Sequence, residues 1–392
     1  MTGSDRPEGA PPTVFLIAGE ESGDILGASL MASVSARLGG RVRFAGVGGS
    51  RMTRLGLTSL FPMEDLTVHG LAEALARGRR LLARVRQASA AVVEANPAVL
   101  ILVDVPGFNL RVARRVRRQS AAIPIVDYVS PTVWAYFPGR ARRMARFVDQ
   151  LLAVLPFEPE VHRRLGGPPT TYVGHPLIER FGELRPGPGE REPLAPGRPP
   201  VLLVLPGSRR KEVERLMGRF GETVALIVRH FGPVEVVLPA VPELADDIRA
   251  RAASWPVRPT IVVGQDAARA AFRRANAALA ASGTVTLELA LAGVPMVVAY
   301  RVDPFLRAFK FMMRAHSIVL PNLIVGSNAV PEFLDSHANP ERLAAALIPL
   351  LSDTPQRAAQ LAAFAGVEEA LMLPGSTPSA RAADIVLAAM RR

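Results

Sequence analysis

The sequence predicts an α/β protein built from two Rossmann-like domains facing across a cleft. Three features carry that expectation. Short apolar segments alternate with helical stretches from the start of the chain, one proline- and glycine-rich stretch interrupts the alternation, and the alternation then begins again. In the first half the strands are Val14–Ala18, Arg43–Val47, Val99–Asp104, Ile125–Val129, Gln150–Val154 and Thr171–Val173. Residues 185–200 hold six prolines and three glycines without apolar periodicity, so this stretch reads as an extended, unpacked linker. Beyond it come Val201–Leu205, Val234–Leu238, Thr260–Val263, Ala277–Ala280 and Met296–Tyr300. The expected organisation is a first domain over 1–184, the linker over 185–200, a second domain over 201–362 and a helical segment over 363–392.

Composition bounds the function. At 392 residues and 49% hydrophobic, the chain can fill two cores and is neither disordered nor fibrous. With no cysteine, disulfides, thiolate metal sites and a cysteine nucleophile are excluded. The only apolar run near the start, Val14–Ala18, is too short for a signal-peptide core, so a cytoplasmic location is expected. The net charge of +12 raises nucleic acid and acidic membranes as partners, yet all basic residues but Lys211 and Lys310 are arginine, a skew that looks like codon composition. The arginine clusters lack interleaved aromatics, so no nucleic-acid groove is expected. Arg77, Arg79, Arg80, Arg84 and Arg86 alternate with Leu75, Leu81, Leu82 and Val85 on a helix that either covers a sheet or rests on acidic lipid.

Candidate site residues follow strands, where ligands of such folds bind. Ser282-Gly283-Thr284 leads from a strand into a helix, with Ser282 and Thr284 as caps and Gly283 allowing close approach of an anion to helix N–H groups. Glu288, one turn on, either grips sugar hydroxyls in the same pocket or is a solvated helix residue. Gly283, Gly293 and Pro295 divide the weakly charged run from Asn276 to Tyr300 into pieces too short for a membrane span. Gly207 and Ser208 open the second domain, and the planar fork of Arg209 either meets a diphosphate or lies on the surface. Asp104 ends a wholly apolar strand and reads either as a general base at the cleft mouth or as a helix cap. The run Gly46-Val47-Gly48-Gly49 lacks the third glycine of a dinucleotide fingerprint, so NAD is not expected. The six histidines show no metal-ligand spacing and no Asp-x-Asp occurs; no metal and no cofactor are expected.

Several motifs occur in one order along nearly the whole chain: Ala18 to Asp24, Gly46 to Met52, Ser59 to Leu66, Tyr128 to Ala135, Leu155-Pro156-Phe157-Glu158, Val173-Gly174-His175-Pro176, Leu205 to Arg209, Ala281 to Glu288, Pro295 to Arg301 and Leu320-Pro321-Asn322. Together they closely resemble the lipid-A-disaccharide synthase family of bacterial glycosyltransferases. The resemblance implies a GT-B fold and metal-independent, inverting transfer from UDP-2,3-diacylglucosamine to 2,3-diacylglucosamine 1-phosphate, giving a β-1,6-linked disaccharide phosphate and UDP. It implies Asp104 as base, Arg209 and the Ser282–Thr284 turn at the departing UDP, Glu288 at its ribose, and Glu20 and Asn322 lining the cleft. It further implies peripheral contact with the inner membrane through Leu66, Val68, Leu71, Leu75, Arg79 and Arg80. The last segment, from about Ala363, either crosses back to the first domain or swaps into a partner, making a homodimer. The alternatives are another GT-B enzyme using a UDP-sugar, such as a UDP-N-acetylglucosamine 2-epimerase, and a non-catalytic anionic-lipid or nucleic-acid binder. Two departures from the family pattern stand out: Gly107 replaces an aspartate, and Asp335 replaces a glutamine, placing an extra carboxylate where it would repel a diphosphate unless an arginine meets it.

Overall fold

The structure, a computed structural model, describes residues 10–66, 71–195, 197–301 and 315–391, and only the backbone of 71–77. The chain divides into two compact units, Met1–Ile178 with Leu373–Arg392, and Glu179–Met372.

The first unit is a parallel sheet of strands β1 (Thr13–Ala18), β2 (Arg43–Val47), β3 (Thr58–Ser59), β4 (Val99–Val103), β5 (Ile125–Tyr128), β6 (Gln150–Ala153) and β7 (Thr170–Tyr172), ordered β3-β2-β1-β4-β5-β6-β7. Its helices are α1 (Glu21–Arg37), α2 (Ser50–Arg54), α3 (Leu71–Ala95), α4 (Pro106–Gln119), α5 (Gly139–Met144) and α6 (Glu158–Leu165). Every residue of β1 and β4 is buried, as expected of central parallel strands covered on both faces, which is why they read as unbroken apolar runs. On one face Phe15, Ile17, Leu100 and Leu102 pack against Val85, Ala88 and Val92 of α3 and Phe108 and Val112 of α4.

The second unit repeats the plan with α7 (Phe181–Leu184), β8 (Val201–Leu205), α8 (Arg210–Phe231), β9 (Glu235–Ala240), α9 (Ala245–Ala252), β10 (Thr260–Val263), α10 (Gln265–Arg274), β11 (Ala277–Ala281), α11 (Val285–Leu291), β12 (Met296–Tyr300), α12 (Leu320–Val325), β13 (Glu332–Leu334), α13 (Pro340–Leu347) and α14 (Pro355–Leu371). Its strands are all parallel, in the order β10-β9-β8-β11-β12-β13. The last helix, α15 (Pro378–Met390), packs on α1 of the first unit and carries Asp384, which pairs with Arg37 at 2.5 Å.

The proline-rich stretch is not unpacked, and here the sequence reading is corrected. Arg191 donates to the carbonyls of Phe272, Arg273, Ala292 and Gly293 at 2.7–3.3 Å, fastening the stretch to the second unit. Asn276 also donates to the Glu192 carbonyl and Arg273 pairs with Glu190, contacts that a count of prolines and glycines does not register. Strands β3 and β13, at the two sheet edges, have two and three residues, too short to show a pattern in the sequence.

Candidate active site

In each sheet the strand order reverses between two neighbouring central strands, and the crevice beyond their carboxyl ends is where such folds bind ligands. In the first unit these strands are β1 and β4, with Ala18 beside Val103. The loops that follow them begin with Gly19-Glu20 and Asp104-Val105. They nearly touch: a Cβ on Gly19 would stand 2.9 Å from Cγ2 of Val105, so only glycine fits. Asn109, fully buried on the first turn of α4, donates its amide to the carbonyls of Ile17, Val103 and Asp104 and clamps both strand ends together.

Asp104 and Val105 both have left-handed backbones, φ +54° and +43°. For a β-branched residue this is a strained conformation, of order 1–3 kcal/mol, and it turns the chain sharply out of β4. Val105, not Asp104, is the N-cap of α4, and no side chain bonds that cap, so the capping alternative for Asp104 fails. Burial raises the Asp104 carboxyl above its ordinary pKa, opposed by a hydrogen bond from the Val105 N–H, which brings a base closer to working pH. Glu20 is exposed on the neighbouring loop, its carbonyl accepting from the Asp24 N–H at 2.9 Å. Gly107 is exposed, and nothing stands where an aspartate side chain would begin except Arg111, whose guanidinium donates to the Gly107 carbonyl.

Two motifs quoted from the sequence, Tyr128 to Ala135 and Leu155 to Glu158, meet beyond β5 and β6 in a buried cluster that also holds His162 of α6. Ser130 Oγ lies 2.8 Å from Nε2 of His162, and Glu158 accepts from the Leu155 N–H at 3.0 Å and from Trp134 Nε1 at 3.3 Å. Burial pushes Glu158 up to about 7 against those hydrogen bonds and lowers His162 to about 4. Trp134 also stands edge-on to Phe157, so it is packing, whereas Tyr136 is exposed. His175 is buried, bonded to the Leu177 N–H, and serves the turn.

In the second unit the reversal falls between β8 and β11, with Leu205 beside Ala280. The loops beyond them are Pro206 to Arg209 and Ser282 to Thr284. Gly207 has φ +114°, and a Cβ there would strike Glu212 at 2.4 Å, so the turn requires glycine. Ser208 and Arg209 are exposed; Arg209, the N-cap of the 22-residue α8, meets Glu212 through its guanidinium at 3.3 Å and through its backbone N–H at 3.4 Å. Gly283 and Thr284 are exposed, and Gly283 has open space around it.

The capping roles expected of Ser282 and Thr284 are corrected. Ser282 Oγ donates to the Ile318 carbonyl at 3.0 Å, and Thr284 makes no side-chain cap bond to the seven-residue α11. Glu288 is half-buried, its carboxyl raised by burial and partly offset by the charge of Arg180. Asn322 does not line an open site as expected. It is fully buried, with its amide bonded to Ser317 Oγ and to both N–H and C=O of Val330, so it shapes the loop and leaves no polar atom for a ligand. Arg219 donates to the carbonyls of Asp335 and Ala338, bringing a cation to the segment that carries the extra carboxylate.

The residues expected at a membrane divide. Leu66 is 3% exposed in the core of the first unit, so its lipid-facing assignment is corrected. Val68 lies outside the described residues, as do the side chains of Leu71 and Leu75. Arg79 and Arg80 are exposed, Arg80 pairing with Asp65 at 2.7 Å, and Leu82 is an exposed apolar residue on the same helix. No helix among the described residues is long and apolar enough to cross a membrane. A groove of about 460 Å³ lined by Val201, Glu235, Arg274 and Asn276 lies at the opposite, amino-terminal edge of the second sheet, so groove volume does not mark the candidate site.

Comparison with known proteins decides the family. The family described as lipid-A-disaccharide synthetase matches residues 14–385. The chain belongs to the lipid-A-disaccharide synthase family. A lipid-A-disaccharide synthase of Nitrobacter hamburgensis is 53% identical over 380 residues, covering 96% of this chain and 95% of that one. Among solved structures, the glycosyltransferase of kitacinnamycin superposes with a TM-score of 0.62 at 17% identity, covering 97% of this chain and 99% of that one. The UDP-GlcNAc 2-epimerase of Neisseria meningitidis bound to UDP-GlcNAc superposes with a TM-score of 0.60 at 10% identity, again covering 97% and 99%. These two likenesses concern the fold: two Rossmann-like units of GT-B type. Membership of the lipid-A-disaccharide synthase family makes the chain a glycosyltransferase of lipid A biosynthesis, in preference to the epimerase and non-catalytic readings.

Proposed function

We propose that the chain transfers 2,3-diacylglucosamine from UDP-2,3-diacylglucosamine to the 6-hydroxyl of 2,3-diacylglucosamine 1-phosphate, with inversion, releasing UDP. The observation that carries the assignment of roles is the position of Asp104: a half-buried carboxyl with a raised pKa at the strand-order reversal of the first sheet. Asp104 takes the proton as the acceptor oxygen attacks the anomeric carbon, which raises the oxygen's nucleophilicity at the moment the bond forms. Glu20, on the adjoining loop, lines the same crevice.

The second unit supplies the donor's grip. Arg209, exposed and only loosely held by Glu212, offers its fork to the UDP diphosphate, and Gly207 and Ser208 let the chain approach it closely at the α8 N-terminus. Ser282, Gly283 and Thr284 line the neighbouring loop, and Glu288 accepts hydrogen bonds from the ribose hydroxyls. As the glycosidic bond breaks, negative charge grows on the leaving diphosphate, and Arg209 stabilises it. Arg209→Ala is expected to weaken UDP binding about 10- to 100-fold, the range for losing a charge-assisted bidentate contact. Titration calorimetry with UDP checks this, and unchanged affinity would return Arg209 to the surface.

Both substrates carry acyl chains, so the enzyme works at a membrane surface, and we place that contact on α3 and the segment before it. The outward arginines Arg79 and Arg80 suit an anionic inner leaflet, and Leu82 lies among them. Replacing Leu71 and Leu75 together by serine is expected to reduce co-sedimentation with anionic liposomes several-fold, by the loss of apolar burial in lipid. Undiminished co-sedimentation would assign that helix to covering the sheet alone.

A further inference from the structure

Strand β5 has the sequence Ile125-Val126-Asp127-Tyr128, one acid in an otherwise apolar central strand. Asp127 is 2% exposed, and its Oδ2 is buried without a hydrogen-bond partner. In the sheet it lies between Leu102 of β4 and Leu151 of β6. Side chains alternate along a strand, so Asp127 shares a face with Ile125, Leu102 and Leu151. That face is covered by Phe108 and Val112 of α4 and by Met144 of α5. Leu102, opposite Asp127, lies two residues before Asp104, and the Tyr128 carbonyl accepts from the Asp104 N–H at 2.9 Å, so the two acids stand near the carboxyl ends of neighbouring strands.

Among the described residues, no cation faces Asp127. Strand β6 carries no titratable residue. On α4, Arg111 turns back to the Gly107 carbonyl, Arg117 reaches Asp149 at the far edge, and Arg114, Arg115 and Arg118 are exposed. On α5, Arg140 lies over the Phe137 ring, Arg143 bonds the Gly139 carbonyl and Arg142 is exposed. The titratable group whose charge reaches Asp127 is Asp104. A second buried acceptor on the same side of β4 also has no donor, Oδ1 of Asn109, whose amide holds the Asp104 carbonyl.

We propose that Asp127 is a positioning residue for Asp104: a neutral carboxyl, holding its proton on the buried Oδ2, that keeps a second negative charge away from the base. This rests on the reading of Asp104 as the base. Burial first, and the nearby Asp104 charge second, push the Asp127 carboxyl well above its ordinary range. Two close carboxyls in a low-dielectric site cannot both ionise cheaply, so the pair carries one proton at neutral pH. The less buried member, Asp104, is then the charged one, and a single negative charge meets the acceptor hydroxyl. When the second proton leaves, repulsion between the carboxylates displaces Asp104 from its place, and turnover falls.

Two readouts test this. In the infrared spectrum of the purified full chain near pH 8, the C=O stretch of a protonated carboxyl is expected in the wild type and in Asp104→Asn, and is lost in Asp127→Asn. In kinetics, wild-type kcat is expected to fall about tenfold per pH unit above the second ionisation of the pair, whereas Asp127→Asn, with no second proton to lose, lacks that alkaline limb. Near neutral pH the same variant keeps turnover within a factor of about 5. Absence of the carboxyl band in the wild type overturns the proposal without any variant needing to fold, and so does an identical alkaline limb in Asp127→Asn. Asp104→Asn that retains turnover would instead overturn the assignment of the base, leaving the infrared result standing by itself.

Discussion

Asp104→Asn is expected to lower kcat by about 10³-fold, close to the upper range for removing a general base, while UDP affinity stays within a factor of about 2. The amide cannot take a proton, and about 10³ corresponds to roughly 4 kcal/mol of transition-state stabilisation. Binding is spared because Asp104 belongs to the first unit and the loops assigned to UDP belong to the second. The substitution is structurally mild. Asparagine tolerates the left-handed backbone that Asp104 adopts, and replacing a partly buried acid by an amide removes a desolvation cost. A loss of activity therefore cannot be assigned to unfolding if the melting temperature is unchanged or raised. The measurement is transfer between the two acyl-sugar substrates in detergent micelles with EDTA present, alongside calorimetry with UDP. A tenfold loss of UDP affinity would move Asp104 to the donor site, and undiminished kcat would remove it from the chemistry.

How much of this was legible in the sequence depended on the kind of signal each residue leaves. Central strands such as Val99–Val103 and Val201–Leu205 are buried on both faces and announce themselves as apolar runs. Their order fixes where the loops lie, so Asp104, Gly207, Arg209 and Gly283 could be placed at strand ends from spacing alone. What spacing does not show is whether a polar side chain faces a ligand or the protein. Asn322 and Ser282 sit in the right motifs, yet their hydrogen bonds close on Val330, Ser317 and Ile318, contacts separated from them by up to 36 residues. Leu66 falls in a run that the resemblance places at lipid, but it is buried in the core of the first unit, 3.2 Å from where a Cβ on Gly19 would stand. Asp127 does leave a trace in the sequence: one acid among apolar residues in a central strand costs free energy to bury and calls for an explanation.

Asp24→Ala is expected to destabilise the first unit by about 3–5 kcal/mol, because three N–H groups lose one shared acceptor. The sequence marks Asp24 only as the end of the run Gly19-Glu20-Glu21-Ser22-Gly23-Asp24 after β1, where a role at the ligand would be the natural guess. The structure gives it a different one. Its carboxylate, 3% exposed, accepts from the N–H of Gly49 at 2.8 Å, of Arg51 at 2.9 Å and of Met52 at 3.1 Å. Those are the free amides at the start of α2, which carries no other side-chain cap, and a negative charge there also suits the helix dipole. Gly49 is required by the same contact, since a Cβ would fall 2.8 Å from the Asp24 carboxylate. The glycines after β2 thus serve an internal anion, which explains why they resemble a phosphate loop without matching a dinucleotide fingerprint. Asp24→Asn, which keeps one side-chain acceptor oxygen, is expected to lose about half as much as the alanine variant. Thermal unfolding of the two variants checks the order. Equal melting temperatures for wild type and Asp24→Ala, with turnover lost, would make Asp24 part of the ligand site and free the glycines after β2 for a substrate phosphate.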